Sequence, residues 1–350
     1  MEVVAILIVV RLKLNQINML RMSFNTDITV VMTVYDRHEY ICWSIMNNKI
    51  GEFEVLLVAD GSDEQVLSKI KECQTKYQVK NINLMAYYPN RGVSYAKSLG
   101  IKKVRTPYFM FCDDDDYIEK FSAFYEEAKG VVSNNTLFVP IPEIVAFGKM
   151  PEKIQYDRRV FHNKTGCELL EYIVRTGEIH TLCAGTCFRT ADVLPLLPEP
   201  FFRVSEDFVL LARLCARYPE RRIYVANSGR YMRRIHSQSL SNPSQITPEK
   251  MLMHIVSLVV GGYYLEKMGR SNRAEFVRIL LNRGKLLQRI YGFGLQTAAL
   301  VGGLLLDRPF DPRAAEAVHA LNYLRAHRDV LPPELMAMLS DVGKSMLMAS

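Results

Sequence analysis

The sequence predicts an α/β fold, a Rossmann-like and mostly parallel central sheet flanked by helices, with a helical C-terminal extension. Three observations lead there. Apolar, β-branched runs recur from residue 28 to residue 112 with helix-patterned stretches between them; each run ends in polar or acidic residues; and beyond Pro243 the pattern becomes basic and helical. Strands alternating with helices of this length need crossover connections, which make neighbouring strands parallel.

Taken in order, Ile28 to Tyr35 is a β-branched strand, followed by a helix through Asn48 with Ile41, Cys42 and Ile45 on one side. Phe53 to Ala59 is the second strand. It ends in Asp60-Gly61-Ser62-Asp63, where Ser62 or Asp63 is placed to cap a helix running to about Lys76. Ile82 to Tyr87 is the third strand, Asn90-Arg91-Gly92 a turn, Val93 to Val104 a helix and Tyr108 to Cys112 the fourth strand. In such sheets ligands bind beyond the carboxyl ends of the strands. Thr33 to Tyr35, Asp60 and Asp113 to Asp116 all fall there, so three polar constellations converge on one crevice.

With 350 residues and 49% hydrophobic content, the chain has enough apolar surface for one large domain and a smaller appended one. Seven cysteines, an odd number without a CxxC pair, argue for a reducing compartment and against a disulfide framework. Cys183 and Cys187 read as buried thiols in preference to zinc ligands. The run Val3 to Val10 is too short to span a bilayer and follows Glu2, so it makes a poor secretory signal. Residues 1–27 are expected to be a poorly ordered extension, because fold signals begin only near Ile28.

The junction after the fourth strand carries the most chemistry. Four successive aspartates, Asp113 to Asp116, place like charges together, each pair repelling by roughly 4 kcal/mol at about 4 Å with an effective dielectric near 20. On an extended chain Asp113 and Asp115 share one side while Asp114 and Asp116 point elsewhere. An Asp-x-Asp pair holds a hard divalent ion through one or two carboxylates and leaves the other positions to phosphate and water. A solvated acidic turn or a helix N-terminus is the alternative for an isolated run; the apolar strand before it favours the ion site. Tyr35 offers a ring face to a base, and Asp60 suits the ring N–H of uracil or thymine. Arg91 and Lys97, around Gly92, suit diphosphate charge, with solvated helix-end charge as the alternative.

These residues carry a resemblance. Met32-Thr33-Val34-Tyr35, Val58-Ala59-Asp60-Gly61-Ser62, the stretch Gly92 to Gly100 and Phe111 to Asp116 resemble, in order, the strand-end, VDDGS-like, G-x-S-x-A-R-N-like and FLDxDD-like motifs of family 2 glycosyltransferases with a GT-A fold. Ala59 departs from the first Asp of the turn, and Lys97-Ser98 from the Arg-Asn pair. The resemblance implies that Thr33, Tyr35 and Asp60 bind a uracil-type base, that Asp113 sits near the ribose or metal with Asp114 beside it in the nucleotide site, and that Asp115 is the principal ligand of Mn2+ or Mg2+. It divides the domain at 28–242 into a nucleotide-binding half, 28–118, and an acceptor-binding half, 119–242.

In the second half, Phe201 to Asp207 leads into a helical pattern with Val209, Leu210, Leu211 and Leu214. Acidic residues at a helix start are favourable to its dipole in any protein. The segment is also similar to the family's EDxxL-type motif, which implies Asp207 as general base of an inverting transfer, with Glu206 its neighbour. Tyr231 to Ser241 is similar to the family's YRxHxxSxS stretch, which implies His236 at the metal and Arg233 or Arg234 at the diphosphate; a solvated His is the plain alternative, and strand parity allows only one of the two arginines to face the site. Val139 to Leu182 carries no recognisable motif and is where acceptor specificity is expected.

Region 243–350 is expected to be basic and helical. From Arg221 to Arg289 thirteen Lys and Arg stand against three Glu, inside a chain of net charge +7. Glu266 to Arg289 has helical spacing, and Ile290 to Leu306 is a seventeen-residue apolar segment with four glycines. This suits a helical lid or homodimer interface, with peripheral contact to an anionic membrane as the alternative; one more helix is expected over Arg313 to His327. No nucleic-acid-binding signature accompanies the basic stretch. The implied function is a hexosyltransferase-class enzyme, cytoplasmic or at the inner face of the cytoplasmic membrane. It would move sugar from a UDP- or dTDP-sugar to a glycan or lipid-linked acceptor in cell-envelope polysaccharide synthesis. The alternatives are a non-catalytic GT-A nucleotide-sugar binder and a nucleotidyltransferase. The latter needs a glycine-rich loop after the first strand, where Asp36-Arg37-His38-Glu39 stands instead.

Overall fold

A computed structural model describes residues 27–36, 40–41, 44, 53–62, 64–76, 82–148, 153–176, 182–197, 204–236, 247–271 and 273–291. The expected helix through Asn48 and the N-terminal extension lie largely outside them, and residues 292–306 and the helix over Arg313 to His327 lie wholly outside.

The first half alternates as the sequence predicts. Strand β1 is Ile28–Val34, β2 Glu54–Asp60, helix α1 Glu64–Lys76, β3 Ile82–Tyr87, α2 Val93–Ile101 and β4 Tyr108–Asp113. β1 to β4 are mutually parallel in the order β3-β2-β1-β4. Their near-continuous apolar sequences match a sheet covered on both faces, and Val30, Val31, Met32, Val55, Leu57, Phe109 and Phe111 are buried. Registers set the functional edge: Thr33 pairs with Val58 and Asp113, and Asp60 with Tyr87. The Ser62 hydroxyl donates to the Val34 carbonyl at 3.2 Å, tying the ends of β1 and β2.

The second half folds less legibly. After β5 (Tyr117–Glu119) and α3 (Phe121–Val131) come β6 (Val139–Pro140), β7 (Glu143–Gly148), β8 (Lys153–Asp157), α4 (Gly166–Thr176), β9 (Thr186–Arg189), the short α5 (Thr190–Val193), α6 (Glu206–Arg217) and β10 (Arg230–Ile235). β9 extends the main sheet antiparallel to β4 and carries β6 on its far side. A second sheet, ordered β5-β10-β7-β8, stands beside it. β10 therefore runs back past the C-terminal end of β4, because β5 continues directly from the acidic run and pairs antiparallel with β10.

The C-terminal region is a helix pair, α7 (Pro248–Lys267) and α8 (Arg273–Tyr291). The single helix expected over Glu266 to Arg289 is thus broken near its start, at Gly269, whose φ of +68° a side chain disfavours. Met251, Ile255, Val259, Phe276, Leu280 and Leu287 join the core formed by α4 and α6. Within its described length α8 thus buries its apolar stripe against the chain and leaves Arg278, Lys285 and Arg289 exposed. Among the described residues no helix is long and apolar enough to cross a membrane. Cys112, Cys167, Cys183, Cys187 and Cys215 are free and buried, whereas Cys73 is disulfide-bonded.

Gly61 shows how tightly the strand ends are laced. Its φ is +70°, its N–H donates to the Tyr87 carbonyl at 2.9 Å, and a Cβ there would lie 2.2 Å from the Asn90 nitrogen. Gly61→Ala is expected to destabilise the fold by about 1–3 kcal/mol, measured as a lowered urea midpoint at unchanged slope.

Candidate active site

The site has two poles at the C-terminal edge of the main sheet. At the first, β4 ends with Asp113 and the chain turns, closed by the Asp116 N–H donating to the Asp113 carbonyl at 3.2 Å. The extended alternation expected through the four aspartates therefore stops at Asp113. Asp114, Asp115 and Asp116 are all buried, which concentrates negative charge where water screens it poorly. The cost is visible at Asp116: burial, and then the charges of Asp115 and Asp113, push its carboxyl well above the usual range.

β10 supplies the compensation. Arg234 donates its backbone N–H to Asp116 Oδ1 at 2.8 Å, and its guanidinium lies 4.9 Å from the Tyr40 ring and 5.0 Å from Phe147. The Tyr231 hydroxyl accepts the Asp113 N–H at 3.1 Å; burial, Asp116 and Asp113 hold that phenol well above its ordinary value. His236 Nε2 stands 2.7 Å from Asp115 Oδ2, both side chains buried. Arg233, opposite in strand parity, pairs with Ala146, so Arg234 is the arginine set against the acidic turn.

The second pole lies where α2 meets α6. Lys97 Nζ reaches Glu206 Oε1 at 2.7 Å and Asp207 Oδ1 at 3.0 Å, with 12% of its side chain exposed. Burial alone would push its ammonium down; Asp207, Glu206 and Asp113 outweigh that and hold it well above the usual lysine value. Burial, joined by Asp207, pushes the Glu206 carboxyl up, while Lys97 pulls it down. Phe111 floors the pair, its ring centroid 5.2 Å from Nζ. Cys183, whose sulfur is 3.7 Å from the Asp207 carbonyl, is held as an inert thiol chiefly by burial.

The base-side residues are arranged differently from a simple pocket. Tyr35 is half exposed, its ring available at the sheet edge. Asp60 is buried and its Oδ1 accepts the Arg91 N–H at 2.7 Å, so it also fastens the 88–92 loop. The Arg91 guanidinium lies on Tyr95, 4.9 Å from the ring and 3.1 Å from its hydroxyl. Thr33 sits beside Asp113 by register.

Sequence reasoning missed three participants. Tyr231 was visible only as the start of a motif. Arg158 is 1% exposed and its guanidinium donates to the carbonyls of Ala184 (2.6 Å), Gly185 (3.3 Å) and Ile141 (3.4 Å), bracing the segment under the Asp207 pole; burial lowers its pKa to about 10. Nothing in Tyr156-Asp157-Arg158-Arg159 marks which arginine turns inward. The third is His254, on α7.

Asp115 and His236 are a hard oxygen and an imidazole nitrogen, a donor set that suits Mn2+ or Mg2+ supplemented by phosphate oxygens. Among the described residues no group of three or more His, Cys, Asp and Glu side chains is placed to hold a metal ion.

At the C-terminal edge of a largely parallel sheet the chain thus sets an aromatic ring and an acidic turn at the strand ends, with a lysine-held carboxylate pair between α2 and α6. The crystal structure of Staphylococcus aureus TarS 1–349 in complex with UDP-GlcNAc shares the fold, with a TM-score of 0.54 at 19% identity over 90% of this chain and 84% of that one. Residues 29–194 match the family model of Glycosyl transferase family 2. It is 32% identical over 137 residues to a teichoic acid poly(glycerol phosphate) polymerase of Staphylococcus epidermidis, covering 37% of this chain and 18% of that protein. It is 28% identical over 200 residues to the minor teichoic acid biosynthesis protein GgaB of Bacillus subtilis, covering 54% and 21%. The chain thus spans about a fifth of the length of these curated relatives.

Proposed function

We propose that the chain transfers a sugar from a UDP- or dTDP-sugar to a hydroxyl of a glycan or lipid-linked acceptor, with inversion at the anomeric carbon. The observation that carries this reading is the Lys97-held pair Glu206 and Asp207, set across the crevice from the acidic turn. Asp207, part-exposed at 24% of its side chain, takes the acceptor hydroxyl's proton as that oxygen attacks, and the nucleoside diphosphate departs from the opposite face. Tyr35 and Asp60 take the base, Thr33, Asp113 and Asp114 stand at the nucleotide, and Arg234 approaches the diphosphate. Arg91, whose guanidinium lies on Tyr95, adds to that basic rim. Asp115 and His236 hold Mn2+ or Mg2+, which when bound neutralises diphosphate charge on the leaving group.

The relatives' names support a cell-envelope polymer as acceptor class, and we infer from that class that the work is done at the inner face of the cytoplasmic membrane. Calorimetric titration of UDP, dTDP and GDP with and without Mn2+ tests the donor side. A pyrimidine diphosphate is expected to bind more tightly with Mn2+, and Asp115→Ala to weaken that binding at least about tenfold, or ~1.4 kcal/mol. Absence of diphosphate binding under every condition would sink the reading.

A further inference from the structure

Ser205 directly precedes the carboxylate pair and has φ +60° and ψ +18°, a left-handed conformation that non-glycine residues rarely adopt. It occupies the N-cap of α6, where a serine hydroxyl ordinarily accepts a backbone N–H of the first turn. Here it makes no such cap. Its hydroxyl instead meets His254 Nδ1 at 3.0 Å, 49 residues away on α7.

His254 is well anchored. Its carbonyl accepts the Ser257 hydroxyl at 2.7 Å, and α7 lies so close to α6 that a Cβ on Gly261 would come within 2.8 Å of the Phe208 ring. Burial, and then Arg283 of α8, lower its pKa to about 4, so it adds no charge beside Glu206 and Asp207 at neutral pH. Arg283 in turn donates to the Thr176 carbonyl at the end of α4, at 3.3 Å. Left-handed backbone at a non-glycine persists where its surroundings over-determine it, and such positions concentrate at functional sites.

We propose that His254 is a positioning residue for the reaction: its contact with the Ser205 hydroxyl holds the left-handed turn from which Asp207 is presented to the acceptor, making the C-terminal helix pair part of the catalytic apparatus. This rests on the reading of Asp207 as the base. The residue lies beyond 29–194, the span of the family match.

The test uses the full chain, with UDP release from UDP-GlcNAc in the presence of Mn2+ as the turnover assay. His254→Ala is expected to lower kcat about tenfold or more while KM stays within about twofold. His254→Asn, which returns a polar atom near Nδ1, is expected to recover most of the loss. Ser205→Ala, which removes no core volume, should give the same kcat loss, and the double variant no further loss. Unchanged kcat in both single variants, or kcat, KM and the unfolding midpoint all worsening together, would overturn the proposal.

Hydrogen exchange of the same variants separates this idea from the functional reading. Faster exchange in the 205–209 amides, with 28–34 unchanged, is the expected result; unaltered exchange at 205–209 overturns the positioning role even if turnover is robust. A wild-type chain that releases no UDP excludes UDP-GlcNAc as donor and leaves the exchange result to decide the His254 link.

Discussion

Asp207→Asn is expected to lower kcat by about 10²–10⁴-fold, the range for removal of a positioned general base, while UDP affinity in the presence of Mn2+ stays as in the unmodified chain. The amide keeps the size of the carboxylate, so packing at the start of α6 is preserved, but it cannot take the acceptor's proton. Asp207 and the acidic turn belong to different elements, α6 and the end of β4, so loss of one should leave binding at the other. Steady-state turnover paired with calorimetry checks this. Equal loss of binding and turnover would mean that Asp207 supports the fold or the donor site instead of the proton transfer.

Lys97→Met is expected to produce the second large effect, about a 10²-fold drop in kcat, on the scale that slight misplacement of reacting groups causes. Methionine retains the length and apolar stem but removes the ammonium bonded to both Glu206 and Asp207. Two adjacent carboxylates are then left without their cation, and stripping one partner from a buried ion pair costs about 3–5 kcal/mol when no other group compensates. The pH dependence has a definite sign. Lys97 holds the Glu206 carboxyl down against burial and the Asp207 charge; without it Glu206 stays protonated to higher pH. The acidic limb of the activity profile therefore moves upward in pH, and measuring kcat across the acid range in both proteins tests it. An unmoved limb would show that the lysine does not tune the pair.

These two residues also show what was legible from sequence. Asp207 was marked by its likeness to the family's EDxxL-type motif; acidic residues opening an apolar helix would by themselves read as ordinary dipole complementarity. Lys97 was marked only as a basic residue near a glycine turn, and a diphosphate role followed from that. Its actual partners lie 109 and 110 residues away, brought to it by the packing of α2 against the second half, which no periodicity encodes. The four parallel strands were readable because burial on both faces demands unbroken β-branched runs. β5, β6 and β9 were not, being two to four residues long and stabilised by what they pair with. The acidic run misled in one respect: alternation presumes an extended chain, and the chain turns at Asp114.

The attachment of that turn to β10 constrains the order in which the molecule becomes competent. Asp113 to Asp116 are early in the chain, yet Tyr231, Arg234 and His236 fasten them from more than a hundred residues later. A nascent chain that has just completed β4 has only nearby contacts, such as the Asp116 N–H on the Asp113 carbonyl, to hold the geometry of the aspartates. Only when β10 slots between β5 and β7 does the cluster acquire its shape. If the acidic turn is part of the donor site, as proposed, a fragment ending before β10 is expected to bind nucleotide more weakly than a chain that includes it.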